Sequence, residues 1–173
     1  EWFLKSRVNI NRTISIESSW SQGQNETISE LAANRNFRIQ FYELDNQLKY
    51  FINQKLRFGL TYRFTDNQNV QADTDHARSD SHELKVDGTF SQSTKMSIRF
   101  DASFVQVNFD GNPNSPVGFA ILNGLQKGQN FLWNLSLDRQ LSDNLRLNIG
   151  YEGRKTGNSR VIHVGRAQVA AIF

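Results

Sequence analysis

The sequence contains no cysteine and only two prolines among its 173 residues. The lack of cysteine excludes a disulfide scaffold and thiolate metal sites, but it leaves the cellular compartment open. The longest uninterrupted apolar runs, FAIL and VAAIF, have four and five residues. Because a membrane-spanning helix needs about 20 apolar residues, a helical span is excluded.

Neither positive nor negative charge is concentrated in one part of the chain. The 20 Lys and Arg residues are spread among 17 Asp and Glu residues, and the net charge is +3. A nucleic-acid surface needs clustered basic residues, so we predict no nucleic-acid partner. The start, EWFLKSRVNI, has neither the basic nor the apolar region of a secretion signal. We predict one domain over residues 1–173, from a mature chain or from one cut out of a longer protein.

Strict alternation of apolar and polar residues is the main pattern in the chain. A period of two residues separates the faces of a strand and not those of a helix. The pattern predicts about eight strands, at residues 8–20, 37–52, 56–64, 84–90, 96–104, 131–137, 145–151 and 160–173. In the second segment the parity slips at residues 43–46, which predicts a bulge or an extra turn there.

The connections between these segments alternate in length. Short turns at INQK, SQSTK and LSDN alternate with long connections at residues 21–36, 66–82 and 110–129. Segments of about ten alternating residues with this asymmetry are typical of outer-membrane barrels. We therefore predict an all-β fold: an antiparallel up-and-down transmembrane β-barrel of about eight strands, or the carboxyl-terminal strands of a larger barrel.

A soluble antiparallel barrel or sandwich is the alternative fold. Periodicity alone does not say whether the apolar face is buried inside the protein or turned outward to lipid. Arg12 argues against the membrane form, because it lies on the apolar parity of the first segment. An arginine facing lipid near the midplane costs about 2 to 4 kcal/mol.

The last 14 residues, RVIHVGRAQVAAIF, alternate up to the final phenylalanine. This ending resembles the carboxyl-terminal strand of bacterial outer-membrane proteins, which the barrel assembly machinery reads as a signal. The resemblance implies that the signal residues are Phe173, Ala171, Val169 and Ala167. It also implies a location in the outer membrane of a Gram-negative bacterium, with lipid and the assembly machinery as partners, periplasmic tight turns and extracellular long loops. The last third of the chain is similar to the end of large uncharacterised outer-membrane proteins of Bacteroidota.

The polar parity of the predicted strands carries charges of both signs. If the sheet closes, these charges line its lumen: Arg57, Arg63, Lys85, Asp87, Arg99, Asp101, Asp138, Arg146, Glu152 and Arg166. The interior of an eight-stranded barrel has room for little more than side chains, so there the charges would pair and plug it. In a larger barrel, the same arginine-rich wall would face water and favour anionic solutes.

The connection at residues 110–129 holds both prolines, Pro113 and Pro116, followed by an apolar run. An exposed run of this kind predicts either a plug or short helix folded over the barrel mouth, or a partner-binding loop. For the second reading the binding residues are Val117, Phe119, Ile121, Leu122 and Leu125. From these features we predict a non-enzymatic membrane scaffold with partner-binding extracellular loops, or alternatively part of a transport channel.

A lipid-modifying barrel enzyme is a third and weaker hypothesis, for which the histidines His76, His82 and His163 are the candidates. The stretch DTDHARSDSHE from Asp73 resembles a cation-binding cluster, but its spacing matches no known loop. GxGxxG and Walker patterns do not occur. We therefore predict no catalytic residues, no metal and no cofactor.

Overall fold

Nine antiparallel strands form one sheet in the part of the chain that the structure describes. The computed structural model describes residues 1–28, 36–71, 76–92 and 95–171. Strands that are neighbours in the sheet are also neighbours in the sequence. The strands are β1 (Trp2–Asn9), β2 (Ile14–Thr27), β3 (Phe37–Phe51), β4 (Leu56–Asn69), β5 (Arg78–Gln92), β6 (Met96–Asp110), β7 (Gly128–Ser142), β8 (Leu145–Thr156) and β9 (Ile162–Ala171). The predicted all-β, up-and-down antiparallel architecture is confirmed, with one strand more than expected.

A short helix, α1 (Pro116–Leu122), lies in the connection between β6 and β7. The described part of the chain contains no helix with the length and apolar character that crossing a membrane requires.

The extra strand arises because the first predicted segment is a hairpin. β1 and β2 pair with each other and are joined by a tight turn at residues 10–13. In this turn, the Asn11 side-chain oxygen accepts hydrogen bonds from the backbone N–H groups of Thr13 and Ile14, at 2.8 and 2.7 Å. Asn53 makes the equivalent bonds, of 2.8 and 2.9 Å, in the next tight turn. Arg12 therefore lies in a turn and not in the middle of a strand. Its position no longer argues against an apolar face that meets lipid.

The register of the sheet assigns each strand residue to one of two faces, because directly paired residues lie on the same face. The polar face consists of the odd-numbered residues of β1 to β6 and the even-numbered residues of β7 to β9. It contains Arg63, Lys85 and Arg99. The apolar face consists of the remaining strand residues, such as Leu60, Val86 and Leu135.

The bulge predicted in the second segment is wrong. β3 pairs with both of its neighbours in a continuous register through residues 43–46. The parity slips because the apolar residues change face: Phe37, Ile39 and Phe41 lie on the polar face, whereas Leu44 and Leu48 lie on the apolar face. Ile39 belongs to a hydrophobic core that covers the polar face near the long connections: Ile39, Ala77, Val105, Val107, Phe109, Val117, Ile121 and Leu122.

The apolar face of the sheet becomes polar at the same level along the strands, near the long connections. Going toward the long connections, Phe64 is followed on this face by Asp66, and Phe104 is followed by Gln106. β4 and β5 continue to Asn69 and from Arg78, so the predicted connection at 66–82 is shorter than expected. Strands β3 to β8 therefore each have an apolar stretch of about ten residues, the length needed to cross hydrocarbon, and then a polar extension.

The two outer strands leave both edges of the sheet open. Among the described residues, β1 pairs only with β2 and β9 pairs only with β8, so the sheet is not closed. All residues of β1 and β9 are exposed. In lipid, such edges need further strands to satisfy their backbone N–H and C=O groups.

Candidate functional site

The ten charged residues predicted to line a lumen all lie on the polar face of the sheet. The register joins the six adjacent strands that carry them, β4 to β9, for example through the pair Asp87 and Asp101. The structure therefore gathers these charges on one surface. That this surface encloses a lumen stays a prediction.

Several of these charges pair with one another across neighbouring strands. Arg63 lies 2.8 Å from Asp45 and 3.4 Å from both Glu43 and Glu83. Farther along the sheet, Arg99 lies 2.8 Å from the Asp138 carboxylate. Two looser pairs are Lys85 with Asp101 at 3.9 Å and Arg166 with Glu152 at 3.4 Å.

Glu17 is the centre of a further charge cluster on the polar face. It contacts Arg7, Lys5 at 3.5 Å and Lys49 at 2.8 Å, and only 7% of the residue is exposed. A buried carboxylate needs such partners, because desolvation penalises an unpaired charge. The sequence signal was weak, since three cations surround Glu17 only after β1 and β3 pair with β2.

Other cations on the polar face have no ionic partner. Within the described ranges, Arg57, Arg146 and Arg154 form no ion pair. All three are exposed. The polar face therefore keeps free positive charge that can interact with anions in solution.

Helix α1 lies over the polar face at the end with the long connections. Ser115 caps its start, because the Ser115 hydroxyl oxygen accepts a hydrogen bond of 3.0 Å from the Gly118 N–H. Its end is set by Asn123 in a left-handed conformation with φ of 46°. Val117, Ile121 and Leu122 are buried against the core defined above. Of the predicted partner-binding residues these three are covered, Leu125 packs partly against the core, and Phe119 is 71% exposed.

Two buried asparagines on the polar face hold the long connections in place. The Asn130 amide donates to the carbonyl oxygens of Gln126 at 2.8 Å and Gly128 at 3.1 Å, and its oxygen accepts from the Gln126 N–H at 3.0 Å. Asn69 accepts from the Arg38 N–H at 3.2 Å. Neither asparagine was predicted, because a polar residue on the polar parity gives no sign that a loop will cover it.

Aromatic rings form a row on the apolar face where it turns polar. Trp20, Tyr42 and Phe64 are linked by ring centroid distances of 6.2 Å, and Phe64 lies 5.0 Å from His82. Farther along the sheet, Phe104 and Phe131 lie 5.0 Å apart. Aromatic girdles at this height are typical of membrane barrels.

The two candidate histidines with described strand positions belong to this aromatic row. The Nδ1 atom of His82 lies 2.8 Å from the Tyr62 hydroxyl, and that of His163 lies 2.8 Å from the Tyr151 hydroxyl. Each imidazole also stacks against its tyrosine. In both places the imidazole contacts a tyrosine and not a serine, whereas the enzyme hypothesis needs a serine beside the histidine.

Another ring on the apolar face, that of Trp133, lies directly across a glycine. A Cβ added to Gly153 would overlap the ring of Trp133, which reaches over β8 toward His163 at 5.8 Å between centroids. We expect Gly153→Ala to lower the free energy of unfolding in lipid vesicles by about 1 to 3 kcal/mol, because the ring must move. Gly165→Ala is the control, since nothing lies within 4 Å of its Cβ position on the same face. Equal effects of the two substitutions in urea titrations would contradict this packing.

Part of the predicted assembly signal is described. Ala167, Val169 and Ala171 lie on the apolar face of β9, paired with Ile149, Leu147 and Leu145. Phe173 lies outside the described residues, as do Asp73 and Asp75 of the acidic stretch. Residues 1–28, 36–71, 76–92 and 95–171 contain no group of three or more His, Asp or Glu side chains that could hold a metal ion.

No protein-family model and no curated protein sequence matches the chain. Among solved structures, it is similar to OmpT, an outer membrane protein of Vibrio cholerae, in its trimer form, with a TM-score of 0.64 and 11% identity over 96% of this chain. It is also similar to OmpT without loop L8, with a TM-score of 0.56 and 10% identity over 97% of this chain. The chain spans 52% and 62% of the lengths of these two structures. It therefore has the fold of an outer-membrane β-barrel protein.

Proposed function

We propose that the chain forms part of the wall of a larger outer-membrane β-barrel and serves as a porin-like channel for polar or anionic solutes. The observation that carries the proposal is the open nine-stranded sheet, with one charged face and one apolar face. The apolar face lies against lipid, and the polar face lines a lumen filled with water.

The open edges favour a large barrel over a small plugged one. Both β1 and β9 have free backbone groups, and the similarity to OmpT extends over only 52% of that protein. Additional strands therefore supply the rest of the wall. A barrel with more than nine strands has an interior too wide for side chains to fill, so its charges meet water.

The free arginines favour anions as solutes. Arg57, Arg146 and Arg154 lie on the polar face without ion pairs among the described residues, while most of the acids on that face are neutralised by neighbours. Side chains that line a pore set its ionic preference through their net charge. The proposal assigns no reaction to the chain.

Helix α1 narrows the pore at one end, because it covers the polar face of β3 to β6. We expect the full-length protein without residues 113–124 to show a higher single-channel conductance in planar bilayers than the parent protein. A parent protein without conductance would remove the channel function, and a deletion that leaves the conductance unchanged would show that α1 does not narrow the pore.

The proposed location is the outer membrane of a Gram-negative bacterium, with tight turns in the periplasm and long connections outside. The aromatic row, which lies toward the long connections, supports this placement as one interfacial girdle. Recognition of the last strand by the barrel assembly machinery, and a Bacteroidota source, are proposed from the resemblance of the tail alone.

A membrane scaffold is the second candidate function, and exposed Phe119 is the observation that favours it. Phe119 borders a cavity of about 560 Å³ that is also lined by Pro113, Leu122 and Leu125. An aromatic ring beside an open cavity is suited to protein contact. A Phe119→Ala protein that keeps its conductance in the bilayer assay but no longer captures a surface partner would favour the scaffold.

A further inference from the structure

Two cations and two hydroxyl groups come together on the polar face at the end with the tight turns. Arg57 of β4 is paired directly with Thr89 of β5. The ladder continues one step farther, where the Lys55 carbonyl oxygen accepts a hydrogen bond of 2.7 Å from the Ser91 N–H. Residues 55, 57, 89 and 91 therefore share the polar face, and we name them the turn-end cluster. Directly paired residues in a sheet have Cβ atoms about 5 Å apart.

These four residues line one cavity of about 210 Å³, together with Phe51 and Asn53. The volume fits a small ion with part of its hydration shell and is below the range of about 300 to 1,000 Å³ for drug-sized ligands. Lys55 and Arg57 are exposed and form no ion pair in the described ranges. The cavity therefore presents two free positive charges and two hydroxyl donors.

The neighbouring charges leave this cluster positive. Lys49 lies beside Arg57 in an adjoining cavity, and its ammonium group is bonded to Glu17 at 2.8 Å. The closest acid on β5 is Asp87, which shares that adjoining cavity. Its carboxylate lies over Gly59, where a Cβ would overlap it, and it does not line the turn-end cavity. Asp87 therefore lowers the local positive potential without occupying the place of an anion.

We propose that the turn-end cluster binds a small tetrahedral oxyanion, with inorganic phosphate as its model ligand. A guanidinium offers a planar pair of N–H donors to such an ion, and an ammonium adds a compact positive charge. The two hydroxyl groups donate to the remaining oxygens. The inference rests on the proposed function in one respect: the polar face must be open to water.

The test is calorimetric titration of inorganic phosphate into the full-length protein in nonionic detergent at low ionic strength. Arg57→Gln and Lys55→Gln should each weaken binding roughly tenfold, the value of one charge-assisted hydrogen bond. Asp87→Asn should strengthen it, because a nearby negative charge is removed. Arg12→Gln is the matched control, since Arg12 is also an exposed cation in a tight turn and forms no ion pair with the residues that the structure describes, and it should leave the affinity unchanged.

Unchanged binding in Arg57→Gln would overturn the site, and so would equal weakening in Arg12→Gln, because it would show attraction to net charge only. Thr89→Val keeps every charge and should still weaken binding; its failure to do so also counts against the site. Phosphate binding without conductance would instead contradict the channel, and conductance without phosphate binding would contradict only the turn-end cluster. Binding of an anionic phospholipid that Arg57→Gln weakens, with no measurable binding of inorganic phosphate, would show that a lipid headgroup is the ligand, against the soluble ion proposed.

Discussion

Replacing Ile149 by arginine is expected to lower the stability of the protein in lipid by about 2 to 4 kcal/mol. Ile149 lies near the middle of β8 on the apolar face, paired with Leu137 and Ala167. If this face meets acyl chains, a guanidinium there loses its hydration with no acid at hand. The measurement is the free energy of unfolding in urea after refolding into phospholipid vesicles.

Asn148→Arg is the matched control for this substitution. Asn148 precedes Ile149 on the same strand, is equally exposed, and lies on the polar face, where its amide donates to Asp138. An arginine at this position can pair with the same carboxylate, so we expect a change of about 0.5 kcal/mol or less. If the two arginines cost the same, or if the polar face is the costly one, the apolar face does not meet lipid and the sheet belongs to a water-soluble domain.

Asn130→Ala is expected to lower the free energy of unfolding by about 2 to 4 kcal/mol, because several backbone groups lose their bonds to one fully buried side chain together. Asn130 is completely buried, and its side chain also reaches the Val105 carbonyl oxygen at 3.4 Å. Alanine leaves the Gln126 N–H and carbonyl without these bonds. We also expect faster amide hydrogen exchange in residues 123–128, which follow helix α1.

Asn134→Ala separates this effect from the general loss of an asparagine. Asn134 lies on the same face of the same strand, but its side chain makes one long bond, of 3.4 Å, to Asp101. A bond this long contributes about 0.5 kcal/mol or less. Similar losses of stability for both variants would show that Asn130 does not anchor the connection after α1.

The strands and their faces could be predicted from the sequence because alternation depends only on local geometry. Successive residues of a strand point to opposite faces, so the face of one apolar residue determines the face of each of its neighbours. The ten charged residues, from Arg57 to Arg166, were placed on one face in this way. Their shared face required only the parity within each strand and the pairing of consecutive strands.

The β1–β2 hairpin was missed because its turn residues keep the alternation of the strands. Ile10 and Ile14 continue the apolar parity through the turn, so the pattern reads as one long strand. The sequence does contain a signal for this turn, because INRTI resembles INQKL, which includes the predicted turn INQK. An asparagine that bonds to the backbone two and three residues later explains both turns.

The core under helix α1 could not be predicted because it forms from distant residues on the otherwise polar face. Val105, Val107 and Phe109 follow Arg99 and Asp101 on the same parity of β6. The apolar residues after Ser103 indicate that this part of the face is covered, but they do not indicate which segment covers it. Residues 117–122 fold back over the sheet and cover this stretch. Periodicity does not predict a contact between segments that lie so far apart in the sequence.

The free amides along β1 and β9 also bear on how these nine strands behave in isolation. Two ribbons of this kind can join side by side through their outer strands, and each junction satisfies one row of backbone groups while exposing another at the far side. Growth by this route has no natural end. We therefore expect a sample of residues 1–173 kept apart from further strands to associate edge to edge, and detergent bound to the apolar face would leave these edges free to join.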